Sequence, residues 1–265
     1  MRMTLIVAEA GSTHGGDRAK MSALIQAAAG TAANVCKFQF CSSPERLAER
    51  RQAAEYLEAY RAIAFPAAWL GDLKAECDEA GIELMATVYL PEDLPIIAPH
   101  VRRFKVASFE AVDVPFILAH RAYGHQTIIS TGGLDEAELR RLLELRDAMV
   151  GRWDLRLLHC VSAYPTRPWE LNLATIGRYK LNGLSDHTLH LWTGALAVAA
   201  GAGIVEKHVR LPDTPLDNPD YPHSISPVGL AEYIANIRFA ESVLGDGLKK
   251  IQPCEEPWVR FQAHV

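Results

Sequence analysis

Two lysines and two histidines interrupt runs that are otherwise apolar: Lys37 in VCKFQF, Lys105 in RFKVAS, His187 in GLSDHT and His208 in IVEKHVR. An ammonium group inside such a run must be paired or must bind something anionic, because leaving it desolvated is costly. One buried lysine fits a structural ion pair. Two from different strands, with hydroxyls nearby, point to a phosphate or carboxylate site. The histidines form a second constellation. They end two successive strand candidates, and adjacent strands lie about 4.8 Å apart, so both imidazoles can reach one divalent ion. Two neutral nitrogens with open positions suit manganese, iron, cobalt or zinc. In IVEKHVR, alternation along a strand puts Glu206 on the face of His208 and turns Lys207 to the opposite face.

The ends of the other strand candidates are polar too. In chain order they supply Glu9, Lys37 and Gln39, Thr87, Lys105 and Ser108, Ser130 and Thr131, Ser162, Ser185 and His187, then Glu206 and His208. A single serine or threonine in such a place more often caps a turn or helix than touches a ligand; their convergence is what carries weight. The loop LPDTPLDNPDYPHSISP (211–227) is long and rich in Pro and Asp, as lids and binding loops often are, and Asp220 and Ser224 are its candidates for substrate contact.

Something must bring these residues together. Short apolar runs at 5–11, 34–40, 82–89, 103–108, 126–132, 155–160, 182–186 and 203–209 read as strands, separated by amphipathic helical segments such as 17–30, 65–81, 134–150 and 191–203, with a final helix over 227–244. Eight strands each followed by a helix predict a (β/α)₈ barrel over 1–246, with 247–265 as a tail. An open doubly wound sheet would gather its polar residues at one crevice, whereas here nearly every strand ends in one. In a barrel all of them face the mouth at the strands' C-terminal ends. The charged stretch 42–61 reads as a solvated helix on the flank.

Composition narrows the classes. The chain has 265 residues, 49% hydrophobic and 22% charged, which fits one large domain with a sizeable core. Its formal net charge of -5 gives no nucleic-acid surface and no polybasic membrane contact, so any bound anion must be held by a few placed cations. Five widely spaced cysteines without a C-x-x-C pair predict reduced thiols in a cytoplasm, and Cys36 and Cys160 read as core residues. No signal peptide is read at MRMTLIVAEAG, and no run is long enough to span a membrane.

The motifs AEAGSTHGGD (8–17), VCKFQF (35–40), RFKVAS (103–108), IISTGG (128–133), LLHCVSAYPT (157–166), GLSDHT (183–188), IVEKHVRL (204–211), PDYPHS (219–224) and GDGLKK (245–250) resemble, in order and spacing, the sialic acid (N-acetylneuraminate) synthase family and its relatives that make pseudaminic, legionaminic and spore-coat sugars. The resemblance implies a (β/α)₈ barrel that condenses phosphoenolpyruvate with an open-chain N-acyl amino sugar. It implies that Lys37, Thr87, Lys105, Ser108, Ser130, Ser162 and Ser185 hold phosphoenolpyruvate. By the same resemblance His187 and His208 bind a divalent metal, manganese or magnesium, and Glu9, Gln39, Tyr164, Glu206 and Asp220 surround the sugar and the attacking water. The alternative is a degenerate barrel that binds a phosphorylated ligand or a partner protein.

The sequence departs from the family pattern at Thr13, Ser162 and Tyr221, where the family usually has Asn, Asn and His, and at TVYL (87–90). Except for Ser162, these lie where the acceptor sugar is expected. Family members usually carry an antifreeze-like domain to a partner subunit, and none is expected here after the 247–265 tail. Three alternatives follow: the acceptor needs no such contact, another polypeptide (a separate antifreeze-like protein or a homodimer partner) supplies it, or turnover has been lost.

Overall fold

The computed structural model describes residues 3–262, so the expected tail from 247 is seen only as far as Gln262. Eight parallel strands close into a barrel in simple sequential order: β1 Leu5–Gly11, β2 Val35–Phe40, β3 Glu83–Val88, β4 Arg103–Val106, β5 Gln126–Ser130, β6 Leu155–Cys160, β7 Gly183–Asp186 and β8 Ile204–His208. The expected fold class holds. Helices Arg18–Gly30, Leu70–Glu79, Glu136–Ala148, Thr193–Ala199 and Pro227–Leu244 match the amphipathic segments read from sequence. Their starts are local chemistry: Asp17, Asp135 and Ser226 each accept from backbone N–H groups of the first turn.

Alternation divides every strand between two cores. Inward residues Val7, Val35, Met85, Ile128, Leu158 and Ile204 fill the barrel floor. Outward residues such as Ile6, Ala8, Cys36, Phe38, Leu84, Phe104 and Val205 pack against the helices. Lys207 faces outward, as alternation predicts, yet it is fully buried: its ammonium donates to Asp186 at 3.0 Å beneath the Tyr233 ring. Asp186 also accepts from Thr193, Tyr233 and the Thr188 N–H. This network ties β7 and β8 to both flanking helices, just outside the residues that carry His187 and His208.

The 42–61 stretch departs from expectation. It forms two helices, Pro44–Arg51 and Leu57–Ile63, broken at Gln52, whose φ of 51° is left-handed. Leu47, Ala48, Tyr60 and Ile63 sink into a separate small core with Cys41, Tyr89 and Leu90. Charge counting along the stretch hid this, because Leu47, Ala48 and Tyr60 turn inward although Tyr56 stays exposed. Among the described residues no helix is long and apolar enough to cross a membrane.

Candidate active site

Above the apolar floor the next inward layer is ionic. Register sets Glu9 beside Lys37, Thr87 beside Lys105, and Ser185 beside Glu206. Lys37 pairs closely with Glu9, lies 3.6 Å from Glu206 and donates to Thr87 Oγ1 at 2.8 Å. Lys105 donates to Ser130 Oγ at 2.6 Å and to the Val106 carbonyl, and stands 4.0 Å from Glu206. Ser185 donates to Glu206 Oε1 at 3.2 Å. Burial alone would raise the Glu206 carboxyl, but Lys105 and Lys37 together hold it below the usual range. Glu9 goes the other way: burial outweighs Lys37, and its carboxyl rises. Burial also lowers Lys105, with Glu206 opposing the fall, whereas for Lys37 the two carboxylates overcome burial and raise it.

These groups open into a cavity of about 680 Å³ at the strands' C-terminal ends. The expected site residues line it except Glu9, Ser224 and Thr131, whose hydroxyl donates to the Leu158 carbonyl. Glu9 lies behind Lys37, where its Oε1 accepts from the Gly11 N–H at 2.7 Å and from Gln39 Nε2 at 3.3 Å. The expectation that Glu9 faces the sugar is corrected by this placement, since both its oxygens are turned toward its own turn and toward Lys37. Ser224 is also turned away, donating to the Tyr221 carbonyl. Cys160, read as core, instead lines the cavity beside Ser108 Oγ at 3.6 Å and His187 Nδ1 at 3.8 Å.

One wall is shaped for an anion. Ser108 Oγ accepts from the Gly132 N–H at 3.0 Å, and Ser162 stands opposite. A Cβ on Gly132 would lie 2.3 Å from Ser162 Oγ and 2.9 Å from Ser108 Oγ, so only glycine leaves this cradle of hydroxyls open.

Imidazoles gather beyond Cys160 in the same cavity. His187 and His208 have ring centroids 5.3 Å apart, and His223 lies 4.5 Å from His208. Candidate ligand atoms of His208, Asp220 and His223 all fall within 4.8 Å of one another. His208 Nδ1 and both nitrogens of His223 are buried without hydrogen-bond partners. Burial, then the neighbouring imidazoles, keep His208 well below its usual range and therefore neutral. A neutral His208, with His223 Nε2 3.3 Å from Asp220 Oδ1 beside it, makes a donor set that fits a divalent cation. His187 turns its Nδ1 to the Val161 carbonyl at 3.0 Å, and Tyr164 packs over it at 4.4 Å.

Loop 211–224 reaches these imidazoles because it is laced back to the barrel. Ile225 N–H donates to the His208 carbonyl, and Asp220 Oδ2 accepts from the Ser12 N–H at 2.5 Å. Burial would raise the Asp220 carboxyl, but His223 and Ser12 hold it down. Gly11, at φ +53°, makes the approach possible: a Cβ there would lie 1.8 Å from Asp220 Oδ2. Gly11→Ala is therefore expected to displace Asp220 and to destabilise the fold by about 1–3 kcal/mol. Thermal melting reads the second effect and divalent-metal titration the first; wild-type values in both would refute this account.

Sequence reading missed His223 and Arg51. His223 carried a weak signal, an imidazole three residues after Asp220 in the same loop. Arg51 carried none, since it sits in a stretch that reads as surface. In the structure it lines the outer cavity with Tyr60, Tyr89 and Phe109.

Comparison with known proteins places the chain in a family. A family model described as the NeuB family matches residues 24–249. The chain is 32% identical to an N,N'-diacetyllegionaminic acid synthase of Legionella pneumophila, covering 95% of this chain and 76% of that protein. It is 28% identical to the N-acetylneuraminate-9-phosphate synthase of Homo sapiens, covering 94% of this chain and 74% of the other. A crystal structure of N-acetylneuraminic acid synthetase from Leptospira borgpetersenii serovar Hardjo-bovis, in complex with citrate, superposes with a TM-score of 0.88 at 29% identity, covering 99% of this chain and 92% of that one. With the family pattern running through nearly the whole barrel, this chain belongs to the NeuB family.

Proposed function

We propose that this protein condenses phosphoenolpyruvate with the open-chain aldehyde of an N-acyl amino sugar, forming a carbon–carbon bond and releasing a nonulosonic-type 2-keto acid and phosphate. The observation that carries the reading is that one cavity is lined by an anion cradle, by an imidazole–carboxylate cluster and by Glu206.

Ser108, Ser130, Ser162 and Lys105 hold the phosphate end of phosphoenolpyruvate, with the Gly132–Gly133 turn against it. Lys37, Thr87 and Ser185 hold its carboxylate. This division follows the hydrogen bonds already formed, since Lys105 lies with Ser130 and Lys37 with Thr87. Glu9 acts from behind, fixing Lys37 and the turn that admits Asp220. Gln39 and Tyr164 face the sugar. His187 and His208 would hold a divalent ion, manganese or magnesium, with Asp220 and His223 in reach of the same place. Such an ion supplies polarisation of a carbonyl oxygen. Carbon attack leaves positive charge at C2 of the former phosphoenolpyruvate, and the carboxylate of Glu206, kept ionised by two lysines, offsets it. Glu206 or Asp220 then takes the proton of the water that adds there. The former aldehyde oxygen takes up a proton as the new hydroxyl, and the C2 adduct loses its hydroxyl proton and, by C–O cleavage, its phosphate, leaving the 2-keto group.

A second copy or a separate antifreeze-like polypeptide would cover the cavity's outer rim, where Phe109 and Val112 are exposed. The function itself is tested by mixing the protein with phosphoenolpyruvate, manganese and a panel of N-acylated aldoses. Phosphate release is expected only with an aldose present, stopped by a chelator and restored by manganese or magnesium. Binding of phosphoenolpyruvate without release from any aldose would leave a ligand-binding barrel instead.

A further inference from the structure

Arg51 ends the helix Pro44–Arg51 and points into the outer cavity rather than into solvent. Its guanidinium lies over three rings, 5.3 Å from Tyr60, 4.8 Å from Tyr89 and 4.7 Å from Phe109. Its Nε and Nη2 both donate to one oxygen of Glu110, which is 2% exposed and whose other oxygen has no partner. The neighbouring Arg50 clamps the same segment through Asp113 at 2.6 Å. The arm connects to the ionic centre, because Tyr89 donates to Gln39 at 2.7 Å and Gln39 donates to Glu9. Its small core of Leu47, Tyr60, Tyr89 and their neighbours is separate from the barrel's own, so this is a built wall and not a flexible rim.

The charges on this wall decide what it can receive. Arg51 is already matched by Glu110, and Glu138 also lines the cavity. The Arg51–Glu110 pair is therefore internally matched, with aromatic surface around the guanidinium. A matched guanidinium still donates in its plane to a neutral oxygen, and the rings take an apolar group beside it. An anion gains no net attraction there and loses its hydration. Resting on the condensing activity proposed above, we propose that Arg51 and Glu110 form the specificity subsite for the acceptor's far end. The subsite accepts a neutral acylamino or hydroxyl group and rejects a phosphate or carboxylate there.

The test uses unreactive sugar alcohols of an N-acylhexosamine and of its 6-phosphate, titrated calorimetrically into the manganese-loaded protein with phosphoenolpyruvate present. Wild type is expected to bind the neutral alcohol about tenfold or more tighter than the phosphate, a margin of the size that one charge-assisted contact provides. Glu110→Gln leaves the guanidinium unmatched, so the preference should shrink by about tenfold or invert. The double variant Arg51→Met/Glu110→Gln carries no charge on either side, which guards against a variant that fails to fold. It should lose about tenfold in neutral-alcohol affinity without gaining any for the phosphate. A purely structural clamp would lower the melting temperature and leave the ratio alone. An unchanged ratio in folded Glu110→Gln, a wild-type preference for the phosphate, or no binding of either alcohol overturns the subsite. Absence of phosphoenolpyruvate binding and of phosphate release from every aldose would instead overturn the condensing activity, while the alcohol ratio still decides the role of Arg51.

Discussion

Glu206→Gln should lower single-turnover rates by roughly 100-fold or more while phosphoenolpyruvate still binds. The amide keeps the size of the side chain and can still accept from Ser185, which donates to Glu206 Oε1 in the wild type. What it removes is the negative charge that Lys37 and Lys105 hold in place at 3.6 and 4.0 Å. In the proposed reaction that charge matters only when C2 becomes electron-poor, so its loss should appear in turnover and not in ground-state affinity. There is a competing structural role. If Glu206 mainly balances the two lysines, the amide leaves two buried ammonium groups facing only Glu9, and the cost falls on folding. Thermal melting and single-turnover kinetics on the same variant separate the two. A large loss of melting temperature with near-normal turnover would assign Glu206 to the ion-pair network alone.

Lys105→Met is expected to weaken phosphoenolpyruvate binding by about 10- to 100-fold, the loss of one charge-assisted contact of roughly 1.5–3 kcal/mol. The sequence treats Lys37 and Lys105 alike, and the structure separates them. Lys37 is engaged by Glu9, Glu206 and Thr87, so its removal strands Glu9 beside an unbalanced Glu206. Lys37→Met should therefore melt at a lower temperature as well as bind more weakly. Lys105 touches a hydroxyl and a carbonyl and has its nearest carboxylate oxygen at 4.0 Å. Its removal leaves Glu206 still paired to Lys37, so the fold should survive. Calorimetric titration of both variants, alongside their melting curves, checks this asymmetry. Unchanged phosphoenolpyruvate affinity in folded Lys105→Met would remove the anion cradle from the proposed function.

The barrel was legible in the sequence because its determinants are local. Each strand is a short apolar run ending in a polar residue, and period-two alternation already assigns Glu206 and His208 to one face and Lys207 to the other. The same alternation, applied to eight strands, brings most of the cavity-lining polar residues to the mouth. The tertiary structure decided what local pattern cannot express, which is who faces whom across the barrel. Barrel closure sets β1 beside β8, so Glu9 meets Lys37 on one side and His208 lies next to it on the other. That places Glu9 behind a lysine instead of in the cavity. The left-handed turn at Gln52 and the small core beneath Tyr60 swing Arg51 into the site from a stretch whose charge reads as surface. The positive φ of Gly11 lets Asp220 approach from more than two hundred residues away, and His223 comes with it. Strands and helices follow from side-chain periodicity within a few residues; the pairing of buried charges follows from register and closure, which exist only once the whole chain has folded.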